Sequence, residues 1–213
     1  MKEIDGEPLE NHATGYGVVE AAKAACEIAG LDMADSTAAI EGFGKVGTGV
    51  ARYLNENGTR VVAISTLKGC LYNADGLDVE QLLLLKKEYG DDLVNQYPGA
   101  GLFESSKLIG LPVDILIPGA RPYVIDKYNV DQVKAKVISS IANIPITEEA
   151  EDVLFQKDIL TVPDFISNAG GITVALVDIL GGTVENVFDA LRKLLGPLTR
   201  DILVESLNKK INP

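Results

Sequence analysis

Residues 41–49 read EGFGKVGTG, and the stretch from Gly42 to Gly47 matches the pattern G-x-G-x-x-G. The chain contains 21 glycines, so this spacing alone is weak evidence for a nucleotide-binding loop. The flanking sequence strengthens it, because STAAIEGF (36–43) predicts a strand and KVGTGVARYLNEN (45–57) predicts a helix that stops at Asn57-Gly58. A strand, a glycine turn and a helix in this order are typical of a pyrophosphate-binding loop.

Apolar strands alternate with helices along the rest of the chain. Strands are predicted at RVVAIS (60–65), VDILIPGA (113–120), AKVISSIAN (135–143) and DILTVP (158–163). Helices are predicted at 16–29, at 78–90 and 147–157 with Asp78 and Thr147 as N-caps, and at 183–210 with an interruption or bend at Gly196-Pro197. The alternation predicts an α/β fold of Rossmann type, a doubly wound and mostly parallel sheet with helices on both faces, formed by residues 1–213 as one domain.

Composition and charge limit the classes of molecule that the protein is expected to bind. The net charge of −12 and the pI near 4.5 argue against nucleic acid and anionic membranes. No signal peptide or run of about 18 apolar residues occurs, so a soluble protein is expected. Cys26 and Cys70 lie outside any metal or redox spacing, and we expect two reduced thiols, a cytoplasmic location and no metal site.

The end of the second predicted strand bears on the choice of dinucleotide. NAD-binding loops of this kind usually have an acidic residue about 20 positions after the glycines, where it accepts hydrogen bonds from the ribose 2′-hydroxyl. Ser65 and Thr66 stand at that place, and Lys68 follows closely. Hydroxyls and an ammonium accept a 2′-phosphate more readily than a carboxylate does, which favours NADP over NAD. The alternative is that this end of the site does not discriminate between NAD and NADP.

Four segments in order resemble the cofactor domain of the glutamate/leucine/phenylalanine/valine dehydrogenases, and most closely that of glutamate dehydrogenases. They are ATGYGV (13–18), GFGKVG (42–47), VVAIS with KGCLYNADGLD (61–78), and VPDFISNAGGITVA (162–175). VDILIPGA and AKVISSIANIPITEEAEDVL also fit. The resemblance extends from about Ala13 to Asp189, and the Asn-Ala-Gly-Gly segment is its most specific part.

The resemblance implies roles for matching positions in binding NADP or NAD. Thr14 would approach the nicotinamide, with Asn143 and Asn168 beside it, and Asn168 would border the substrate pocket. Gly119 and Ala120 would line the ribose path, and the pyrophosphate would be held by Gly42, Phe43, Gly44, Lys45 and Val46. Purely structural roles are the alternative: Thr14 as a helix N-cap, and the two asparagines as turn or cap residues. His12, the only histidine, is expected to be exposed to solvent.

Departures from the family pattern bear on catalysis. The family's catalytic lysine and aspartate belong to a substrate domain ahead of the Ala-Thr-Gly segment, where this chain has 12 residues. Ser140 and Ile141 stand where the family has glutamate and glycine, and Ala175 stands where it has a substrate-holding serine. Oxidation of an α-amino acid needs positioned acid and base groups in addition to the cofactor. We therefore predict no catalytic residues in this chain.

Three hypotheses follow from the sequence. The chain is the cofactor half of a glutamate-dehydrogenase-like enzyme that works with a separate substrate domain or subunit, or it is a non-catalytic paralogue that senses NAD(P) or pairs with an intact dehydrogenase. A different Rossmann enzyme with its own substrate site is the third. The changes at Ser140, Ile141 and Ala175 favour a diverged stand-alone chain. The sequence does not determine the oligomeric state.

Overall fold

The glycine loop leaves a seven-stranded sheet and enters a helix. The computed structural model describes residues 3–4 and 6–213. The strands are β1 (Glu3–Ile4), β2 (Glu7–Pro8), β3 (Thr37–Glu41), β4 (Arg60–Thr66), β5 (Gly69–Tyr72), β6 (Gly101–Phe103), β7 (Ile115–Pro118), β8 (Val137–Ile138) and β9 (Leu160–Thr161). The α-helices are α1 (Leu9–Ile28), α2 (Lys45–Glu56), α3 (Val79–Tyr89), α4 (Leu93–Gln96), α5 (Glu148–Gln156), α6 (Asp164–Ser167), α7 (Gly170–Ile179) and α8 (Val184–Lys209).

The sheet has the order β6-β5-β4-β3-β7-β8-β9. The five strands β4, β3, β7, β8 and β9 are parallel to one another. At the other edge, β5 is antiparallel to β4, and β6 is antiparallel to β5. β3 lies between β4, which follows it in the chain, and β7, which comes later. The chain therefore changes direction across the sheet at β3, and a crevice is expected at the carboxyl end of that strand. The predicted Rossmann-type, mostly parallel sheet is confirmed.

Helices cover both faces of the sheet. Ala38 and Ile40 of β3 point into a core shared with α1, α2, α3, α7 and α8. Ala39, between them, points into a second core that is closed by α5 and by 3-10 helices at Ser105–Gly110 and Val130–Gln132. Because both faces are buried, the strands appear in the sequence as continuous apolar runs.

Local capping signals predicted several boundaries correctly. Asp78 is the N-cap of α3, where its Oδ1 accepts a hydrogen bond from Gln81 N at 3.0 Å. Thr147 caps α5 in the same way through Ala150 N. Helix α2 ends at the predicted Asn57-Gly58, with Gly58 at a φ of +80°. These signals act within one turn of chain, so the sequence is enough to find them.

Two helices differ from the prediction, one in its start and one in its continuity. α1 begins at Leu9 instead of Tyr16, because the β1–β2 hairpin and Pro8 start the helix seven residues earlier. α8 continues through Pro197 without interruption, although a proline removes one backbone donor. Leu195 and Leu203 are buried on either side of Pro197, so core packing holds the helix together across that lost bond.

Candidate functional site

The glycine loop has the backbone that a close approach requires. Gly42 has a φ of +92°, and a Cβ at this position would lie 2.7 Å from Ala120 N. A Cβ on Gly47 would lie 2.2 Å from the carbonyl oxygen of Gly42, so only glycine lets α2 pack against the turn. A Cβ on Gly44 would meet no described atom within 4 Å. Gly44 therefore presents bare backbone to open space, as the middle glycine of a pyrophosphate loop must.

The N-terminus of α2 faces the same open space. Gly44 is the N-cap residue, and no side chain caps the helix there. The first amides of an α-helix have no partner within the helix, and the positive end of the helix dipole adds to their preference for anions. Lys45, at the first helical position, is exposed. This end of α2 is suited to a phosphate group.

A cleft of about 1060 Å³ lies over this loop at the carboxyl ends of β3, β4 and β7. Nine of the twelve predicted site residues line it: Gly42, Phe43, Gly44, Lys45, Val46, Ser65, Thr66, Gly119 and Ala120. Phe43 contributes backbone rather than side chain, because it is 1% exposed and its N donates to Ser65 O at 2.7 Å. The cleft is thus placed where open α/β sheets bind their ligands.

Glu41, which the sequence analysis did not single out, holds one wall of the cleft. Its Oε2 accepts hydrogen bonds from Gly119 N at 3.0 Å and Ala120 N at 2.8 Å, and the side chain is buried. This carboxylate joins the end of β3 to the turn after β7. Gly119 and Ala120 therefore line the cleft with their amides directed at Glu41. The contact spans 78 residues of sequence, so no local signal reveals it.

The predicted ribose end has hydroxyls that are already hydrogen-bonded. Ser65 Oγ accepts from Gly42 N at 3.2 Å, and Thr66 Oγ1 donates to Asp91 O at 2.9 Å and accepts from Lys68 N at 3.1 Å. Asp91 and Lys107 line the cleft beside these hydroxyls. An acidic residue is therefore present at this end of the cleft, in a 3-10 helix at Gly90–Asp92 instead of on the strand.

Thr14, Asn143 and Asn168 lie outside the walls of the large cleft but close to one another. Asn168 Nδ2 donates to Asn143 Oδ1 at 2.7 Å and to the carbonyl of Ile141, a cleft residue, at 3.3 Å. A Cβ on Gly170 would lie 2.4 Å from Thr14 Cα, so the Asn-Ala-Gly-Gly segment packs directly on α1. The fold therefore brings these three residues together. Their place at the nicotinamide stays a prediction.

The structure corrects one alternative and bears out another. Thr14 is not an N-cap, because it lies inside α1 and its hydroxyl donates to Glu10 O at 2.7 Å. Asn168 is the C-cap residue of α6, which agrees with the structural alternative of a turn or cap residue. That role and a place at the substrate pocket are compatible, since its side-chain amide is directed at Asn143.

His12 is buried, so the expectation that it is exposed to solvent was wrong. The residue is 6% exposed, and its Nε2 lies 3.0 Å from Ile4 O. Its Nδ1 has no hydrogen-bond partner within residues 3–4 and 6–213. The error has the same cause as that at Thr14: the early start of α1 places the residue on a helix face covered by the β1–β2 hairpin.

The positions that depart from the family pattern lie near this group. Ser140 is 1% exposed, and its hydroxyl has no partner in the part of the chain that the structure describes. Its carbonyl accepts from Ser167 Oγ at 2.8 Å. Ile141 lines the cleft, and Ala175 is exposed on α7. Among the described residues, no three histidine, cysteine, aspartate or glutamate side chains are grouped as a metal would need, and no helix is long and apolar enough to cross a membrane.

Comparison with known proteins gives the family. Residues 6–194 match the family model described as glutamate/leucine/phenylalanine/valine dehydrogenase. The glutamate dehydrogenase of Thermotoga maritima is 36% identical over 208 residues, which are 94% of this chain and 50% of that protein. The glutamate dehydrogenase of Aeropyrum pernix is 37% identical over 188 residues, 85% of this chain and 44% of that protein.

A solved structure agrees with this assignment. The hetero-hexameric glutamate dehydrogenase from Thermus thermophilus, in its leucine-bound form, superimposes with a TM-score of 0.83 at 26% identity, covering 95% of this chain and 49% of that one. This chain spans about half the length of the relatives it matches. The matching half is glutamate-dehydrogenase-like, and the family's cofactor is a nicotinamide dinucleotide. The chain belongs to the glutamate/leucine/phenylalanine/valine dehydrogenase family, as its NAD(P)-binding domain.

Proposed function

We propose that the chain binds a nicotinamide dinucleotide in the cleft over the glycine loop and serves as the cofactor half of an α-amino-acid dehydrogenase. The observation that carries the proposal is Gly44, a bare N-cap residue that opens an uncapped helix N-terminus into a cleft of about 1060 Å³. A pyrophosphate there would accept hydrogen bonds from the free amides of α2. Residues 1–213 act as one dinucleotide-binding domain in this proposal.

The orientation of the dinucleotide follows from the two ends of the cleft. The adenosine ribose lies toward Ser65 and Thr66, and the nicotinamide lies toward Ile141, next to Thr14, Asn143 and Asn168. Support comes from the hydrogen bonds that link Asn168 to Asn143 and to Ile141. An amide-rich surface suits the carboxamide of a nicotinamide, which both donates and accepts hydrogen bonds.

NADP is the dinucleotide that we favour, because Ser65 and Thr66 at the end of β4 carry no charge and the nearby Asp91 is paired with Lys86. A paired carboxylate repels a 2′-phosphate less than a free strand-end carboxylate would. Lys107 in the cleft wall adds a positive charge. The test is titration calorimetry of the purified chain with NADPH and NADH. We expect NADPH to bind at least as tightly as NADH. A preference for NADH of about tenfold or more, 1.4 kcal/mol, would reject this choice.

The isolated chain is expected to show no glutamate oxidation with either dinucleotide. The side chains at the proposed nicotinamide end, Thr14, Asn143 and Asn168, are neutral, whereas deprotonating an amine needs a positioned base. Steady-state assays with NAD and NADP, beside an intact glutamate dehydrogenase as positive control, provide the measurement. Turnover by this chain alone would contradict the proposal that catalysis depends on a further domain.

We propose that a substrate-binding domain docks on α7. Three large apolar residues of this ten-residue helix and its C-cap residue Leu180 are exposed, and we call them the α7 face: Ile172 (74%), Leu176 (55%), Ile179 (82%) and Leu180 (75%). They expose roughly 500 Å² of apolar surface, which is near the upper limit for the largest apolar patch on a monomeric protein. α7 begins at Gly170, beside Thr14, so a domain bound there would lie next to the nicotinamide. The chain spans about half of its relatives, which carry further chain that could cover this face.

Mixing experiments test the docking surface. The isolated first half of the Thermotoga maritima glutamate dehydrogenase is a suitable probe, and analytical ultracentrifugation measures complex formation. We expect the double variant Leu176→Gln/Ile179→Gln to lose the complex, whereas Leu84→Gln on α3, which removes a similarly exposed leucine, should retain it. Equal binding by all three proteins, or binding by none, would contradict the proposal.

A non-catalytic NAD(P) sensor is the second candidate, and the changes at Ser140, Ile141 and Ala175 favour it. The same mixture separates the two candidates: glutamate turnover by the reconstituted complex supports the enzyme, and dinucleotide binding without turnover supports the sensor. For either, we propose a cytoplasmic location. Cys26 and Cys70 are free and buried, and burial raises the pKa of each thiol to about 12, as expected of inert reduced cysteines.

A further inference from the structure

An ion pair between Asp91 and Lys86 lies beside the ribose end of the cleft. Asp91 lines the cleft next to Thr66, and its Oδ1 accepts from Lys86 Nζ at 2.6 Å. The side chains of Lys86 and Asp91 are 21% and 38% exposed, so each still meets solvent. Asp91 stands in the 3-10 helix after α3, which is held to the end of β4 by the bond from Thr66 Oγ1 to Asp91 O.

Lys86 belongs to a second, positively charged cavity on the other side of the pair. That cavity has a volume of about 510 Å³ and shares Gly44 and Lys45 with the large cleft, while Lys87 and Arg52 add further positive charge to its walls. Lys86 therefore connects a basic surface to the ribose end, with the carboxylate of Asp91 in between. The charge that a dinucleotide would meet there depends on how completely Asp91 neutralises Lys86.

The hydroxyls of Ser65 and Thr66 are poorly placed to set the preference themselves. Both residues are buried, and the hydroxyl of Thr66 already donates to Asp91 O and accepts from Lys68 N. A 2′-hydroxyl needs an acceptor, whereas a 2′-phosphate needs donors and positive charge. Asp91 supplies an acceptor at the ribose end. Its partner Lys86 lies outside the cleft walls and adds a positive charge to that of Lys107, which lines them.

We propose that the Asp91–Lys86 ion pair is the element that sets discrimination at the ribose 2′ position, an inference that rests on the proposed dinucleotide binding. The carboxylate accepts a hydrogen bond from a 2′-hydroxyl and repels a 2′-phosphate. The ammonium attracts a 2′-phosphate to the extent that Asp91 leaves it free. The pair therefore carries both charges at this end, whereas a strand-end acidic residue would carry only the negative one.

Charge-removing variants test the pair by the ratio of NADPH affinity to NADH affinity. Asp91→Asn should raise the ratio about tenfold or more, because it removes a negative charge close to a phosphate of charge −1.5 to −2 and frees Lys86. Lys86→Gln should lower the ratio by a similar factor. Asp92→Asn is the matched control: it removes the same charge one residue away, where Asp92 bonds to Asn95 and Gln96 outside the cleft walls. Its ratio should stay within about twofold of wild type.

Calorimetry with both dinucleotides on the wild type and the three variants gives all the ratios. Ratios for Asp91→Asn and Lys86→Gln that stay within about twofold of wild type, with binding retained, would overturn this inference and leave dinucleotide binding intact. Equal shifts in Asp91→Asn and Asp92→Asn would also overturn it, because general charge would then be the cause. A wild-type chain that binds neither dinucleotide would overturn the proposed function and this inference with it.

Discussion

The substitution Gly44→Ala separates binding from folding at the glycine loop. Gly44 has an extended backbone, with φ −92° and ψ −160°, and an added Cβ meets no described atom within 4 Å. Alanine is therefore tolerated sterically by the free protein, although it is a poorer N-cap than glycine by roughly 0.5–1 kcal/mol. In the complex, the new methyl group would occupy the space where a pyrophosphate approaches the amides of α2.

The size of the effect follows from what the methyl group blocks. Holding the pyrophosphate away from α2 removes at least one hydrogen bond between a backbone N–H and a charged oxygen, worth about 1.5–3 kcal/mol. The dissociation constant for either dinucleotide should therefore rise roughly 10- to 150-fold. Gly42→Ala behaves differently, because its φ of +92° and the 2.7 Å contact with Ala120 N make the folded state itself strained.

Titration calorimetry measures the loss of affinity, and thermal unfolding followed by circular dichroism measures stability. Gly196→Ala is the control, since a Cβ at Gly196 also meets no described atom within 4 Å and the residue lies in α8, away from the cleft. Gly44→Ala with unchanged affinity would refute the placement of the pyrophosphate on α2. A large loss of thermal stability would refute the reading of Gly44 as an open position.

Three further predictions concern stability. Glu41→Ala should destabilise the fold by about 2–4 kcal/mol in denaturant unfolding, because the backbone amides of Gly119 and Ala120 lose a buried acceptor, and Glu41→Gln should lose less; equal stability of both with wild type would contradict this. Partial burial raises the pKa of Asp114, but hydrogen bonds from Thr37 and Lys136 outweigh this effect, so the pKa in the folded protein is below its ordinary value. The charged Asp114 should therefore stabilise the fold above about pH 4, and this stabilisation should be lost as the pH falls through the lowered pKa. The stability difference between wild type and Asp114→Asn, measured from pH 7 to pH 2, should shrink on acidification, and a constant difference would contradict the assignment. Gly196→Ala should stabilise the protein by about 0.5–1 kcal/mol, since it replaces a glycine in a helix where a Cβ has room, and a loss of stability would show that the position is not open.

Features set by short-range chemistry were predictable from the sequence. The glycine loop, the caps at Asp78 and Thr147 and the strand β4 depend on residues within a few positions of each other. The predicted strands at 135–143 and 158–163 were too long, since β8 and β9 each contain two residues. Apolar residues beside these strands, Ala135 before β8 and Val162 after β9, are buried without strand geometry, and the hydrophobic pattern does not distinguish the two cases.

Features set by contacts between distant segments were not predictable. Asp91 comes to the ribose end through a bond to Thr66, 25 residues earlier, and Glu41 holds a turn 78 residues later. The hairpin before α1 contacts His12, and the early start of α1 places Thr14 inside the helix. Thr14, Asn143 and Asn168, which the family resemblance singled out, lie close together in the fold, although they are far apart in the sequence. Their roles at the nicotinamide stay predictions.

The early start of α1 matters for anyone who recombines domains between relatives. The recognisable Ala-Thr-Gly motif begins at Ala13, which makes it an obvious splice point for a chimera. A junction there would cut α1 after its first turn and replace Leu9, which is fully buried, and His12, which is nearly so. A hybrid joined ahead of Leu9 keeps the helix and its packing against α2, α7 and α8 intact. Swapped cofactor domains should therefore be joined before the helix, not at the motif.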